Sequence, residues 1–500
     1  MPVKGKYMAG IKSLVKDTAI YGVSSIIGRF LNWWLVPLYT YHLAIGEFGD
    51  FTDLYAWMAI LMVILTYGME TGFFRFANDS SEKDPQSVYS TCLFSLTFTT
   101  CLFFMLIFGF LRPISNVLGY TEHPEYIVMV GIIIGIDAFS ALPFAYLRYR
   151  KRPVRFAAIK ILLVVINIVF NIFFLVLCPK IWETNPGIIE WFYNPEYGVG
   201  YILVSNLIMS FLGLVLLIPE IVRIKWRFRP DLLKRILHYS FPLLILGIAG
   251  IMNQSLDKIL LKRMLSGEEA GIYNANYKIA VIMAMFIQAF RYAYEPFIFD
   301  KNKGENKRKA YAEAMKFFII FGLLIFLGVT FYLDIIRYVI EAQYHVGLVV
   351  VPIVLLAELF MGIVFNLSVW YKVTDRTQWG TWLTLVGLAV TVGVNLLFIP
   401  MFGYMASAWA AFSCYLLMMI LSWLIGKRYY PVNYNLKKIG GYVLLTAILY
   451  IIAVSVPIES LILRFTFRTA LIAVYLFYVV KKDIPLKKIP YVNRFVSRKK

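Results

Sequence analysis

Long apolar runs alternate with short polar, mostly basic segments from one end of the chain to the other. Each run is about 18 to 27 residues long, enough to cross ~30 Å of hydrocarbon as an α-helix. Residues 159–177 have apolar side chains on every face and only three polar residues, which excludes the alternating strands of a membrane β-barrel. The fourteen predicted helices span residues 18–40, 52–73, 88–111, 126–147, 157–178, 199–222, 238–261, 272–298, 316–333, 347–371, 378–399, 404–425, 439–457 and 461–480.

The positive charges are distributed unequally between the two sides that these helices define. When the segments are assigned to alternate sides, 37 of the 49 Lys and Arg residues lie on one side and 7 on the other. Such an excess marks the cytoplasmic side of a membrane protein, so we predict an even number of spans with both termini in the cytoplasm. The basic residues behind the formal charge of +20 then set the orientation in the membrane and contact anionic lipid headgroups. We therefore predict no nucleic-acid partner.

Composition supports an all-α, multi-pass membrane protein. The chain is 60% hydrophobic, against ~45–50% in soluble domains, and its mean hydropathy is +0.71. The four cysteines and four histidines show no metal-ligand spacing, so no metal or cofactor is predicted. The longest loop on the less basic side covers only residues 179–198, which indicates a protein that works within the membrane.

The chain contains an internal repeat with a constant offset of 222 residues. The matched positions are Leu43 with Leu265, Glu47 with Glu269, Gly49 with Gly271, Phe51 with Tyr273 and Tyr55 with Tyr277. The repeat predicts two parallel six-helix lobes with a substrate path between them. The predicted domains are an N-lobe (1–222), a basic cytoplasmic linker (223–236), a C-lobe (237–425), helices 13 and 14 (426–480) and a basic cytoplasmic tail (481–500).

Two degenerate motifs give the chain a family resemblance. The first, R-x2-N…P-L-Y…L-x3-E-F-G-D-F, begins at Arg29, and the second, N-x3-D-K-x-L-L-x3-L…E-x-G-I-Y-x3-Y-K, lies at 253–278. With the fourteen-helix layout, they resemble the O-antigen and capsule repeat-unit flippases of the multidrug/oligosaccharidyl-lipid/polysaccharide (MOP) exporter superfamily. The resemblance implies a V-shaped, two-lobe transporter that moves undecaprenyl-diphosphate-linked oligosaccharide from the cytoplasmic to the periplasmic leaflet of the bacterial inner membrane. Other polysaccharide-assembly proteins are candidate partners.

Charged residues within the spans are the candidate substrate ligands, since intramembrane charge is costly and often marks a transport pathway. Arg29 and Asn32 share a face of helix 1, and the Arg29 guanidinium suits a diphosphate. Arg291 on helix 8 is the expected partner from the C-lobe. The remaining candidates for substrate binding are Lys258, Lys278 and Glu70.

Three carboxylates within the helices are candidates for coupling transport to H⁺ or Na⁺. Asp137 lies deep in helix 4, Asp257 in helix 7 and Glu358 in helix 10. Asp257 and Lys258 are adjacent and are expected to point to different faces. The alternative for a buried carboxylate is a salt bridge, for Asp137 with Arg29 or a lysine.

Two other functions remain open at the level of sequence. A cation-coupled multidrug or metabolite exporter of the same superfamily shares the architecture, although a basic cavity disfavours cationic drugs. A polysaccharide polymerase or ligase would need an outside domain and a catalytic constellation, and neither is visible, so the chain is predicted not to be an enzyme.

Overall fold

A computed structural model describes residues 22, 26–79, 84–299 and 307–483. The residues before 22 and the basic tail beyond 483 lie outside this description. So does the side chain of Glu295, which lies four residues after Arg291 and is predicted from that spacing to pair with it. Within the described ranges, every regular element is a helix, as predicted for an all-α membrane protein.

Fourteen long helices follow one another along the chain. They are α1 (residues 26–42, interrupted at Trp34), α2 (Ile45–Ala77), α3 (Pro85–Gly109), α4 (Pro124–Tyr149), α5 (Pro153–Thr184), α6 (Val199–Val222), α7 (Pro230–Met264), α8 (Gly267–Phe299), α9 (Lys307–Phe331), α10 (Ala342–Val373), α11 (Gln378–Phe402), α12 (Tyr404–Tyr429), α13 (Leu436–Ser455) and α14 (Leu461–Asp483). Helices α2 to α14 supply thirteen segments long and apolar enough to cross a bilayer, and α1 completes the predicted set.

A break in α2 sets the direction of its last two turns. Tyr67 and Gly68 both adopt left-handed backbone angles, with φ of 32° and 72°. The carbonyl of Gly68 accepts a hydrogen bond from the Ser240 hydroxyl of α7, so the break is fixed by a neighbouring helix. The segment Met69–Ala77 after the break carries Glu70. The sequence pattern predicted one straight helix over 52–73 and did not indicate this change.

The segment between the two predicted lobes is shorter than its sequence indicates. Helix α7 begins at Pro230, a residue suited to the first helical turn, so only residues 223–229 are non-helical. The backbone of Arg227 donates to and accepts from the Ser90 hydroxyl, and the Arg229 amide donates to Thr91. These contacts hold the segment against α3. We call the side on which 148–155 and 223–229 lie the basic face, and the opposite side the far face.

The two lobes meet at the far face through backbone contact between α2 and α8. A Cβ atom on Gly49 would lie 1.9 Å from the carbonyl oxygen of Gly267, and one on Gly271 would lie 2.2 Å from that of Ile45. Gly49 and Gly271 are 222 residues apart, and so are Ile45 and Gly267. The contact is therefore symmetric in the repeat, which explains why glycine stands at both positions.

Polar side chains close the same far-face interface. The Asn274 amide donates to the Thr52 hydroxyl at 2.9 Å, again across 222 residues. Lys262 on α7 lies 2.7 Å from Asp50 on α2, and the fully buried Asp53 lies 3.6 Å from Arg263. The Tyr120 hydroxyl also donates to Asp53. The described lobes are thus joined at the far face by helix packing, hydrogen bonds and ion pairs.

Candidate functional site

A cavity of about 530 Å³ lies within the N-lobe, toward the basic face. Its walls come from α1, α2, α4, α5 and α6, and α8 of the C-lobe adds Tyr292. Its charged and strongly polar lining residues are Arg29, Asn32, Glu70, Asp137, Arg148 and Lys160. Four candidates from the sequence, on three different helices, are thereby brought to one cavity.

Helix α1 presents Arg29 and Asn32 to this cavity. They are three residues apart, so one helix face carries both, and both side chains are exposed. Arg29 makes no ion pair within the part of the chain that the structure describes. An uncompensated guanidinium in a cavity within the membrane is suited to bind an anionic group with two parallel hydrogen bonds.

Arg148 and Glu70 form an ion pair across the cavity wall, joining α4 to α2. The Arg148 guanidinium lies 5.2 Å from the ring centroid of Phe74 and 5.8 Å from that of Phe156. Glu70 is a predicted substrate ligand, and in the structure it lines the cavity while its carboxylate pairs with Arg148. Its carboxylate reduces the effective charge of Arg148.

Lys160 is a cavity residue that sequence reasoning did not assign. Its Nζ lies 3.9 Å from the ring centroid of Phe144, and Asp137 is close enough to interact with it electrostatically. Lys160 is one of five cations within the predicted spans, and this position in the sequence could have identified it as a candidate. Arg148 was missed for another reason, since it was assigned to a cytoplasmic loop.

The cavity therefore has a net positive charge. Its lining contains three cations, Arg29, Arg148 and Lys160, and two carboxylates, Glu70 and Asp137. Glu70 forms an ion pair with Arg148, whereas Asp137 interacts with Lys160 only through longer-range electrostatics. Among the described residues, Arg29 and Lys160 therefore make no ion pair with a carboxylate. The geometry is suited to hold an anion near Arg29 and Lys160.

A separate charged cluster lies in the C-lobe and does not line the cavity. Lys258 pairs with Asp257 at 3.0 Å, so the expectation that these neighbours diverge is wrong: the long lysine side chain folds back along α7. Its Nζ also lies 4.4 Å from the ring centroid of Tyr277. The Tyr273 hydroxyl donates to Asp257. This packing leaves the Lys258 side chain only 14% exposed.

Glu358 joins the same cluster from α10. Its Oε1 accepts a hydrogen bond from the Tyr277 hydroxyl, and its Oε2 is buried without a hydrogen-bond partner among the described residues. Lys278, the next residue after Tyr277, is partly buried on α8 and its carbonyl accepts a hydrogen bond from the Trp33 indole of α1. The cluster therefore connects α7, α8 and α10.

Arg291 lies on α8 next to the cavity residue Tyr292 but packs against the C-lobe. Its guanidinium lies 4.3 Å from the ring centroid of Phe365, and the Lys372 amine lies 4.7 Å from the same ring. Tyr292, and not Arg291, is the α8 residue in the cavity wall. The predicted pairing of Arg29 with Arg291 around one ligand stays a prediction. No group of three or more metal-ligating side chains occurs among the described residues.

The comparisons with known proteins agree with this architecture. A family model described as "Polysaccharide biosynthesis protein" matches residues 14–301. A protein of the Lsg locus of Haemophilus influenzae is 19% identical over 314 residues, which are 62% of this chain and 71% of that protein. An uncharacterised membrane protein of the same organism is 21% identical over 293 residues, 58% of this chain and 66% of that one.

Two solved structures share the fold at low sequence identity. The lipid II flippase MurJ, in an inward closed conformation, has a TM-score of 0.71 and 14% identity, covering 93% of this chain and 99% of that one. An inward-facing multidrug resistance MATE transporter of the MOP superfamily has a TM-score of 0.62 and 11% identity, covering 81% and 96%. The family model covers more than half of the chain, and the MOP fold extends over nearly all of it. The chain belongs to the polysaccharide biosynthesis protein family and has the fold of the MOP exporter superfamily.

Proposed function

We propose that the protein is a flippase that moves a polyprenyl-diphosphate-linked oligosaccharide, such as an undecaprenyl-linked O-antigen or capsule repeat unit, from the cytoplasmic to the periplasmic leaflet. The observation that carries this proposal is the net positive cavity in the N-lobe, in which Arg29 lacks a paired carboxylate among the described residues. The diphosphate would bind at Arg29 and Lys160, with Asn32 beside it. The prenyl tail would stay in lipid.

Closure at the far face supports entry of the substrate from the basic face. Contacts between α2 and α8 and the ion pairs of Lys262 and Arg263 close that side, while the cavity lies toward the basic face. With the basic face in the cytoplasm, as the positive-inside rule predicts, the substrate enters from the inner leaflet. Separation of the lobes at the far face would release it on the other side.

Binding by the second lobe belongs to the same proposal. Arg291 would reach the head group of the substrate when the lobes rearrange, since its neighbour Tyr292 already lines the cavity. Lys258 and Lys278 would act later along the path, on the C-lobe side. Glu70 would regulate the charge of Arg148 and so contribute to the site indirectly.

For coupling to H⁺ or Na⁺, we propose Asp137 as the primary carboxylate, because of the three candidates it alone lines the cavity that substrate would occupy. An anionic ligand next to Lys160 would weaken the hold of that lysine on Asp137. Asp257 and Glu358 would couple movement of the C-lobe to the same ion. Glu358 suits this role because its Oε2 is buried without a hydrogen-bond partner among the described residues.

Transfer of a fluorescent polyprenyl-diphosphate oligosaccharide between the leaflets of proteoliposomes tests the proposal. The wild-type protein should accelerate the loss of substrate from the outer leaflet, and Arg29→Gln should lower that rate by about tenfold or more, since one charged phosphate contact contributes ~1.5–3 kcal/mol. Arg112→Gln is the matched control, because Arg112 is exposed and lies outside the cavity.

Two results would contradict the flippase assignment. The first is transfer of substrate by the wild-type protein no faster than in protein-free vesicles. The second is extrusion of cationic dyes at a rate that Arg29→Gln leaves unchanged. The second result would favour the multidrug exporter of the same superfamily.

A further inference from the structure

A second cavity of about 130 Å³ opens on the basic face of the N-lobe, at the ends of α4 and α6. Three arginines line it, and we call it the arginine pocket: Arg150, Arg152 and Arg223. Glu220 is the one carboxylate in this lining, and it is paired with Arg155 at 3.0 Å. None of the three arginines makes an ion pair within the described ranges. The pocket therefore has three uncompensated cations.

A tight turn after α4 brings two of these arginines to the same mouth. Lys151 adopts a left-handed φ of 52°, and the Arg152 amide donates to the carbonyl of Leu147 at 3.0 Å. The chain reverses between Arg150 and Arg152, so both border the pocket while Lys151 does not. Arg223 approaches from the end of α6. The backbone at Glu220 is also fixed, because its carbonyl accepts a hydrogen bond from the hydroxyl of the buried Tyr89.

The position of the pocket indicates the source of its ligand. Helices α4 and α6 end at Tyr149 and Val222, so the arginines lie where a spanning helix leaves the hydrocarbon, at the level of the lipid headgroups. Val222 is 69% exposed and Trp226, four residues on, is 52% exposed. Apolar and aromatic side chains at this depth are typical of an interface with lipid. A guanidinium cluster there matches the phosphodiester of an anionic phospholipid.

We propose that the arginine pocket binds the phosphate group of an anionic phospholipid of the basic-face leaflet. The site is distinct from the N-lobe cavity that Arg29 lines, and it does not depend on the substrate proposed above. It is nonetheless close to that cavity along the chain: Arg148, two residues before Arg150, pairs with Glu70 in the N-lobe cavity. A bound headgroup would stabilise the turn that follows Arg148 and thereby restrict the movement of the Arg148 side chain.

Native mass spectrometry of the delipidated full-length protein, titrated with phosphatidylglycerol, tests the site. The triple variant Arg150→Gln, Arg152→Gln, Arg223→Gln should retain phosphatidylglycerol at least about tenfold more weakly than the wild type, since each basic residue near a membrane contributes ~1 kcal/mol. The matched control is Lys225→Gln, Lys234→Gln, Arg428→Gln, which removes the same charge from exposed positions outside the pocket. This control should bind as the wild type does.

Three outcomes would overturn the proposal. If the control variant binds phosphatidylglycerol as weakly as the triple variant does, the attraction is diffuse and does not depend on the pocket. If the wild type retains phosphatidylcholine as well as phosphatidylglycerol, the pocket does not select a lipid with net negative charge. Displacement of phosphatidylglycerol by millimolar inorganic phosphate would identify a free-anion site. If the triple variant does not fold, the single variant Arg223→Gln, at the exposed end of α6, should still weaken binding measurably, and unchanged binding would count against the site.

Discussion

At the scale of single residues, the proposed function depends most on Arg29, which lines the cavity and makes no ion pair among the described residues. Of the other two cavity cations, Arg148 pairs with Glu70, and Lys160 interacts electrostatically with Asp137. Arg148 shows how a partner changes a residue's role. Its pairing with Glu70 keeps it in position and lowers its attraction for an anion. If the cavity binds the diphosphate as proposed, its affinity depends on the balance between three cations and two carboxylates.

Glu70→Gln tests this balance directly. Removal of the carboxylate raises the charge of the cavity by one unit, and we expect several-fold tighter binding of a soluble prenyl diphosphate, measured by isothermal titration in detergent. The increase should shrink at high salt because the interaction is electrostatic. Glu268→Gln, a change of the same charge at an acidic residue outside the cavity, is the control. Weaker binding by Glu70→Gln would instead show that Glu70 contacts the substrate itself.

At the level of elements, the hairpin of α13 and α14 is attached both to α9 and to the short segment that follows α9. Toward the basic face, Asp483 lies 2.7 Å from Lys316, and it also accepts a hydrogen bond from the Tyr442 hydroxyl. Toward the far face, Asp334 lies 2.7 Å from Arg468 and 3.3 Å from Arg464. These attachments indicate that the hairpin moves with the C-lobe.

Asp483→Asn is expected to lower the free energy of unfolding by about 2–3 kcal/mol, because it leaves the buried Lys316 amine with only the exposed Glu313 as an acidic partner. Thermal unfolding in detergent measures the effect. The double variant with Lys316→Met should recover part of the loss, since the uncompensated cation is then gone. Glu459→Gln, in the exposed loop between α13 and α14, is the control and should be neutral. A neutral Asp483→Asn would show that the cluster contributes no stability.

At the level of the whole molecule, the structure is closed at the far face by contacts that repeat across 222 residues. Most of them join backbone to backbone or small side chains, so they can separate without leaving large apolar cavities. The buried Asp53 is different, because opening the interface would have to supply water or new partners to its carboxylate. In the proposed transport cycle, release of substrate at the far face would therefore require these ion pairs to break.

A disulfide across this interface should arrest the transport cycle. Thr52→Cys with Asn274→Cys, in a background without the native cysteines, places thiols where the two side chains now lie in hydrogen-bond contact. Oxidation should abolish leaflet transfer and a reductant should restore it, whereas each single cysteine variant should be insensitive to both. Continued transfer by the fully cross-linked protein would show that the lobes do not separate here.

The sequence by itself determined the helical membrane architecture, its repeat and several of its site residues. Apolar runs of spanning length specify helices because the bilayer leaves backbone polar groups no other partners. The 222-residue offset identified Gly49 and Gly271, each of which packs against the backbone of the opposite helix at the far face. Arg29, Asn32, Glu70 and Asp137 were detectable because charged or strongly polar residues are rare in such runs.

Tertiary structure decided which of these residues share a cavity and which are already paired. Lys160 and Arg148 line the cavity through the packing of α4 and α5, and no local pattern specifies which face of an all-apolar helix turns inward. The Lys258 side chain folds back to pair with its neighbour Asp257, and the periodicity of the sequence does not predict this conformation. Periodicity along one helix defines its faces, but only contact with the other helices decides what each face meets.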